Sequence, residues 1–138
     1  MTLRAAHLIC LLSIVAFGQA VCNQMSYEDK NQTDYAPIRV SRVMGVSNDK
    51  QAVAVPNVCI GLFGEGADHR LVMATNSDSD GHFRFTDVPP GDYRLVAKFD
   101  GFSPANARIR VERRGSKRPL VVRMRFAGLD TVSFVELN

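Results

Sequence analysis

Residues 80–99 read DGHFRFTDVPPGDYRLVAKF, and this stretch decides the fold. Phe83 and Phe85 alternate with polar residues, and Tyr93 and Leu95 alternate with others after the Pro-Pro-Gly segment. A period of two is typical of a β-strand with one buried face. Proline and glycine between two such runs mark a turn. The stretch therefore predicts two half-buried strands separated by a turn.

The same alternation and the same turn signals continue on both sides of this stretch. Glycines at Gly101 and Gly115 mark further turns, and no window of eleven residues has a helical apolar stripe. We predict strands near 38–46, 57–63, 70–76, 82–87, 92–99, 106–112 and 119–126, with a last short strand near 131–137. Seven or eight strands in about 100 residues predict an all-β, antiparallel β-sandwich.

Length and composition set the class of protein. The chain has 138 residues, of which 46% are hydrophobic and 22% are charged. These values are typical of one globular domain, and they exclude a multidomain enzyme, a collagen-like or disordered chain and a helical membrane protein. The net charge of +3 is too small for a general nucleic-acid or membrane-surface binder.

The first twenty residues are typical of a signal peptide. Arg4 precedes an apolar run over 8–17, and small residues at Gly18 and Ala20 predict cleavage after Ala20. The run is shorter than the roughly 20 residues that span a bilayer, so no transmembrane span is expected after cleavage. The mature chain is expected to be periplasmic or secreted. Lipid anchoring at Cys22 is disfavoured because the preceding residue, Val21, is branched.

We divide the rest of the chain by composition. Residues 21–37 are predicted to form a flexible polar arm, 38–128 the β-sandwich, and 129–138 a short C-terminal strand. After cleavage Cys22 and Cys59 remain. In an oxidising compartment they could form one disulfide; alternatively, Cys22 lies free in the arm and Cys59 is half-buried on a strand.

Several motifs together resemble the carboxypeptidase regulatory-like domain. They are residues 74–85 (ATNSDSDGHFRF), 88–95 (VPPGDYRL), 100–102 (DGF) and 55–62 (VPNVCIGL). The resemblance covers about residues 40–126. It implies a prealbumin-like sandwich of seven strands, related to starch-binding and transthyretin-like folds. It also implies a non-catalytic accessory domain that serves binding, spacing or assembly in exported proteins.

The strongest charge pattern is the basic segment 105–125, which carries a net charge of +7. We interpret it as a hairpin that places four arginines on one face, and we name these arginines as candidate binding residues: Arg108, Arg110, Arg123 and Arg125. The functional interpretation is contact with an anionic protein or surface polymer. The alternative is a solvated sheet face whose charges block edge pairing.

A weak calcium candidate precedes Phe83. Asn76, Asp78 and Asp80 have the spacing of the first three oxygen ligands of a calcium loop, with Gly81 at the sixth position. The flanking helices of such a loop are not predicted. The alternative is a polar turn whose aspartates accept hydrogen bonds from nearby amides, and no cofactor is predicted.

The mature chain offers little for catalysis. His69 and His82 are its two histidines, and neither lies in a nucleophile or zinc motif. We predict a non-enzymatic binding or structural module that recognises a protein or envelope polymer, with no nucleic-acid partner. The alternative is a carbohydrate-binding module of the starch-binding-like fold. It would have to use Phe63 and Phe102 as exposed platforms, because the chain has no Trp.

Overall fold

A computed structural model describes residues 22–27, 35–128 and 132–138. The predicted signal peptide, residues 1–20, lies outside the described residues. A 3₁₀ helix spans Cys22–Gln24. The strands are β1 (Ile38–Val40), β2 (Met44–Asn48), β3 (Cys59–Gly64), β4 (Leu71–Asn76), β5 (His82–Arg84), β6 (Gly91–Lys98), β7 (Ala105–Val111), β8 (Leu120–Arg123) and β9 (Phe134–Leu137).

The strands form two sheets, as the all-β sandwich predicted from the sequence requires. The first sheet has five strands in the order β1-β7-β6-β3-β4, and the second has four in the order β5-β2-β8-β9. The apolar side chains that alternate along β6, such as Tyr93 and Leu95, point into the space between the sheets and are buried there. The sandwich prediction is therefore confirmed.

The prediction of seven or eight strands is corrected to nine. The predicted strand 38–46 is two strands, because the chain leaves the first sheet after Val40 and enters the second at Met44. Val40 and Val43 on either side of this step are both buried. The apolar alternation breaks between these two valines, at Ser41 and Arg42, and this break marks the end of β1 that the predicted strand 38–46 overlooked.

The pairing is also not purely antiparallel. β1 pairs with β7, and β2 pairs with β8, in parallel. Strands distant in sequence can pair in parallel because the intervening chain supplies the long connection that this pairing needs. The other five pairings are antiparallel.

The basic segment 105–125 is not a hairpin, which corrects a third prediction. β7 lies in the first sheet and β8 in the second. The connection 112–119 runs against β1: Ser116 N–H donates to Arg39 O at 3.0 Å, and Ser41 N–H donates to Ser116 O at 2.9 Å. A Cβ on Gly115 would lie 2.3 Å from the carbonyl carbon of Val40. The glycine thus permits the close approach that carries the chain between the sheets.

The first residues of the predicted arm pack on the outer face of the five-stranded sheet. A disulfide joins Cys22 to Cys59 on β3, with Cα atoms 5.3 Å apart. The Met25 sulfur lies over Gly61, and the Tyr27 ring meets Phe63 edge-on at 5.5 Å. Phe63 is consequently only 1% exposed although it points away from the main core.

Candidate binding site

The four candidate arginines occupy two different sheets and do not form one basic face. Arg108 and Arg110 lie on β7, Arg123 lies on β8, and Arg125 follows it. Arg110 donates two hydrogen bonds to the carboxylate of Asp92 across the β6–β7 pair, at 2.7 and 3.2 Å. These bonds lower the pKa of Asp92 and raise that of Arg110. The charges of Asp92 and Arg110 are thus paired within the five-stranded sheet.

The other three arginines also have partners. Arg108 Nε lies 3.4 Å from Glu65 Oε1. Arg123 Nε donates to Glu136 Oε1 at 2.9 Å, across the β8–β9 pair. The Arg125 guanidinium lies 5.7 Å from the centre of the Phe134 ring, a distance typical of a cation–π contact. The segment 105–125 is therefore basic in sequence, but its four named arginines are engaged in the fold.

The calcium candidate is a capped turn. Asp78 Oδ1 accepts the backbone N–H groups of Asp80 and His82, each at 2.9 Å. Asn76 points elsewhere, with its amide 3.9 Å from Cys59 Sγ. The described residues that could hold a metal here are Asp78, Asp80 and His82, whose donor atoms lie within 4.8 Å of one another. All three are exposed, and the local hydrogen bonds account for Asp78.

A groove of about 810 Å³ lies between the ends of the two sheets. One wall is β9, the last strand of the four-stranded sheet, and the other is formed by 35–39 and β7 residues 106–108. Its apolar lining extends to the surface, because Tyr35 is 74% exposed and Val132 is 50% exposed. We call this feature the β9 groove.

Three phenylalanines form a second apolar feature at the β6–β7 loop. Phe102 stacks on Phe126 with ring centres 4.5 Å apart, and Phe99 lies 5.8 Å from Phe102. Phe126 is 61% exposed. We call these residues the phenylalanine cluster. The sequence predicted Phe63 and Phe102 as exposed platforms. Phe102 is instead half-buried against the core, and Phe63 is buried beneath Tyr27.

The β9 groove was missed by the sequence analysis. Its most exposed apolar residues, Tyr35, Val132 and Phe134, lie in segments that were interpreted as a polar arm and a short terminal strand. A signal exists, however: in 132–137 (VSFVEL) apolar residues occur at both odd and even positions. A strand at the edge of a half-solvated sheet should be apolar on one face only. Apolar residues on both faces indicate a second buried or binding surface.

The match to known families agrees with this architecture. The family profile of the carboxypeptidase regulatory-like domain matches residues 42–125. The chain belongs to this family. The carboxypeptidase regulatory-like domain is a non-catalytic β-sandwich module. The matched region runs from within the step between β1 and β2 to two residues past the end of β8. No curated protein matches the chain.

Two further observations bear on the compartment of this carboxypeptidase regulatory-like domain. The Cys22–Cys59 disulfide indicates an oxidising environment of the kind found outside the cytosol. The sequence left open whether Cys22 and Cys59 form a disulfide or remain unpaired, and the structure has the disulfide. In the described ranges, no helix combines the length and apolar character needed to cross a membrane.

Proposed function

We propose that the protein is an exported, non-enzymatic binding module that recognises a partner protein through the β9 groove. The observation that carries this proposal is the exposure of apolar side chains around a concave surface at the end of the sandwich. Tyr35, Val132 and Phe134 are 74%, 50% and 38% exposed, and all three line the groove. Apolar patches that remain in water on a soluble domain are typical of interaction sites.

Export is supported by two features that are independent of the groove. The first is the leader-like pattern of residues 1–20, and the second is the disulfide. The disulfide also bears on lipid anchoring, because the Cys22 sulfur bonded to Cys59 is not available for a thioether to lipid. A periplasmic or secreted protein without an anchor at Cys22 fits these observations best.

The absence of catalysis is proposed from the family and from the surroundings of the histidines. The His69 ring stacks on Tyr27 at 4.0 Å, and His82 belongs to the turn capped by Asp78. Packing against Tyr27 accounts for His69, and the capped turn accounts for His82. The non-catalytic character of the carboxypeptidase regulatory-like family agrees with them.

The test is a pull-down from the host's envelope fraction with a matched pair of variants. In the groove variant, Tyr35, Val132 and Phe134 are changed to Ser. In the control variant, Val53 and Val72, which are 59% and 48% exposed but lie outside the groove, are changed to Ser. We expect the control to retain the captured protein and the groove variant to lose it. Equal recovery by both variants would contradict the proposal, and recovery of an anionic polymer would replace the protein as partner.

The phenylalanine cluster favours a second candidate, which is carbohydrate binding. Exposed aromatic rings stack against the apolar faces of sugar rings, and Phe126 offers such a face beside Phe102. The test is electrophoresis through gels that contain polysaccharide. Retardation of the wild type that is lost in Phe126→Ser and kept in the groove variant would assign the phenylalanine cluster to sugar. Migration unaffected by polysaccharide would remove this candidate.

A further inference from the structure

Four strands lie at the ends of the two sheets, and three of them carry features that discourage pairing with another chain. β1 has three residues, follows Pro37 and contains Arg39. β5 also has three residues, and its exposed side chains are His82 and Arg84. β4 is flanked by Cys22–Gln24. Short length, proline, charge and covering segments are the usual protections of an edge strand.

β9 is also short, at four residues, but it has fewer of the other protections. Its sequence, FVEL, contains no proline and one charged residue, Glu136. That charge is engaged by Arg123 at 2.9 Å, on the side of the sheet where Phe134 also lies. Ser133, just before β9, bridges Ala105 of β7. From Phe134 onward the outer edge of β9 borders the β9 groove, and no strand among the described residues pairs with it there. The edge is therefore open, apolar and concave.

One hydrogen bond shows which backbone groups of β9 face β8 and which face the free edge. Asn138 N–H donates to Pro119 O at 3.0 Å. In an antiparallel pair, bonded and non-bonded positions alternate, so the register places Glu136 and Phe134 in bonded positions facing β8. The N–H and C=O groups of Val135 and Leu137 consequently point to the free edge, where they can pair with an incoming strand.

We propose that the β9 groove binds an extended, acidic segment of a partner protein, which adds to the four-stranded sheet as a fifth strand beside β9. The inference rests on the proposed function and names its partner class. Main-chain hydrogen bonds to Val135 and Leu137 supply sequence-independent affinity, and apolar side chains of the segment occupy the lining beside Tyr35 and Phe134. This is the general mode of β-strand addition.

The acidic character of the segment follows from the wall opposite β9. Arg39 and Arg108 both line that wall, but Arg108 lies 3.4 Å from Glu65 Oε1, so Arg39 is the arginine that can engage a new carboxylate. The Arg39 side chain is 63% exposed and its contact with Glu112 is long, at 3.9 Å, so it can turn toward a carboxylate at little cost. On the β9 side, Glu136 is already bound to Arg123. A segment with alternating apolar and acidic residues thus matches the chemistry of both walls.

The first experiment uses capped synthetic peptides and the mature protein. One peptide alternates Val with Asp and Glu, a second alternates Val with Lys, and a third has the first composition arranged in two blocks. We expect the acidic alternating peptide to bind, the lysine peptide to bind at least about tenfold more weakly, and the block peptide not to compete. Amide NMR shifts and slowed hydrogen exchange should concentrate at Val135 and Leu137.

Variants separate strand addition from general attraction. Val135→Pro removes an edge N–H without removing a bond to β8, and edge strands tolerate proline at such positions. We expect the Val135→Pro variant to bind the acidic peptide about tenfold more weakly, because it loses roughly one well-made hydrogen bond and weakens the neighbouring ones. Arg39→Glu should also weaken binding, whereas Arg84→Glu, exposed on the β5 edge, should not.

Several outcomes would overturn the inference. They are undiminished binding by a folded Val135→Pro variant, equal binding of the lysine peptide, NMR shifts away from β9, or a dimer formed through β9 that the peptide does not disrupt. Should Val135→Pro not fold, the NMR map on the wild type decides alone. The proposed function stands separately: a protein lost by the groove variant in the pull-down, together with failure of the peptides, would reject strand addition only.

Discussion

The ring of Tyr27 stacks on the imidazole of His69, with ring centres 4.0 Å apart and planes 12° apart. Tyr27 belongs to the segment before the sandwich, and His69 to the loop between β3 and β4. The contact lies beside Phe63, which Tyr27 also covers. Together with the disulfide five residues earlier, it fixes residues 22–27 on the outer face of the five-stranded sheet. This face is therefore a second, small apolar layer outside the main core.

Removal of the disulfide should loosen this layer and destabilise the domain. For Cys22→Ser with Cys59→Ser, we expect a loss of about 2–4 kcal/mol in the free energy of unfolding, since the bond closes a loop of 37 residues in the unfolded chain. Urea unfolding followed by circular dichroism measures this loss. Reduced wild type should unfold at the same urea concentration as the double variant. A double variant as stable as the oxidised wild type would show that the bond contributes nothing.

The strands could be predicted from the sequence because a strand with one buried face alternates apolar and polar residues. Phe83, Phe85, Tyr93 and Leu95 alternate with polar residues, and all four are buried in the core. No comparable residue pattern shows which of the two sheets a strand joins. Gly115 and Ser116 were interpreted as a hairpin turn, whereas the connection 112–119 crosses between sheets, and both alternatives require a glycine.

The candidate site was less predictable for a related reason. Charge pattern identifies Arg108 and Arg110 but not their partners, because Glu65 and Asp92 are brought to them only by the pairing of β3, β6 and β7. The burial of Phe63 likewise depends on Tyr27, which lies 36 residues earlier in a segment without apolar periodicity. Contacts between distant segments of this kind require the three-dimensional structure.

Gly115 gives a direct test of the crossing between the sheets. For Gly115→Ala, we expect a loss of about 1–3 kcal/mol in stability, because the new Cβ would lie 2.3 Å from the Val40 carbonyl carbon and the backbone must shift. The matched control is Gly128→Ala, where no atom lies within 4 Å of the new Cβ. Thermal unfolding compares the two. Equal melting temperatures for both variants would contradict the close approach at Gly115.

Glu65 neutralises two arginines that face each other across β6 and β7. Its Oε1 lies 3.8 Å from Arg94 Nε and 3.4 Å from Arg108 Nε, and Arg94 is only 6% exposed. For Glu65→Gln we expect a loss of about 1–3 kcal/mol, since a buried guanidinium would lose its counter-charge beside a like charge. Chemical denaturation measures it. The control, Asp68→Asn, removes a pair that is 70–83% exposed and should leave stability unchanged; a similar loss in both variants would contradict a special role for Glu65.

The Asp92–Arg110 pair makes stability depend on pH in a predictable direction. An ordinary aspartate titrates near pH 3.8, and the hydrogen bonds from Arg110 lower the pKa of Asp92 in the folded protein. The folded state therefore binds this proton less readily than the unfolded state. The pair stabilises the fold fully above the unfolded pKa, and the stabilisation disappears as the pH falls through the lower, folded pKa.

We therefore expect Arg110→Gln to melt below the wild type at neutral pH, and the difference to shrink as the solution is acidified below pH 3.8. The difference should be small and should also shrink in salt, because both side chains are partly exposed. Arg113→Gln, in the exposed turn after β7, is the matched control and should follow the wild type at every pH. A difference between wild type and Arg110→Gln that stays constant down to the lowest pH would mean that Arg110 stabilises the sheet by packing rather than through the charge of Asp92.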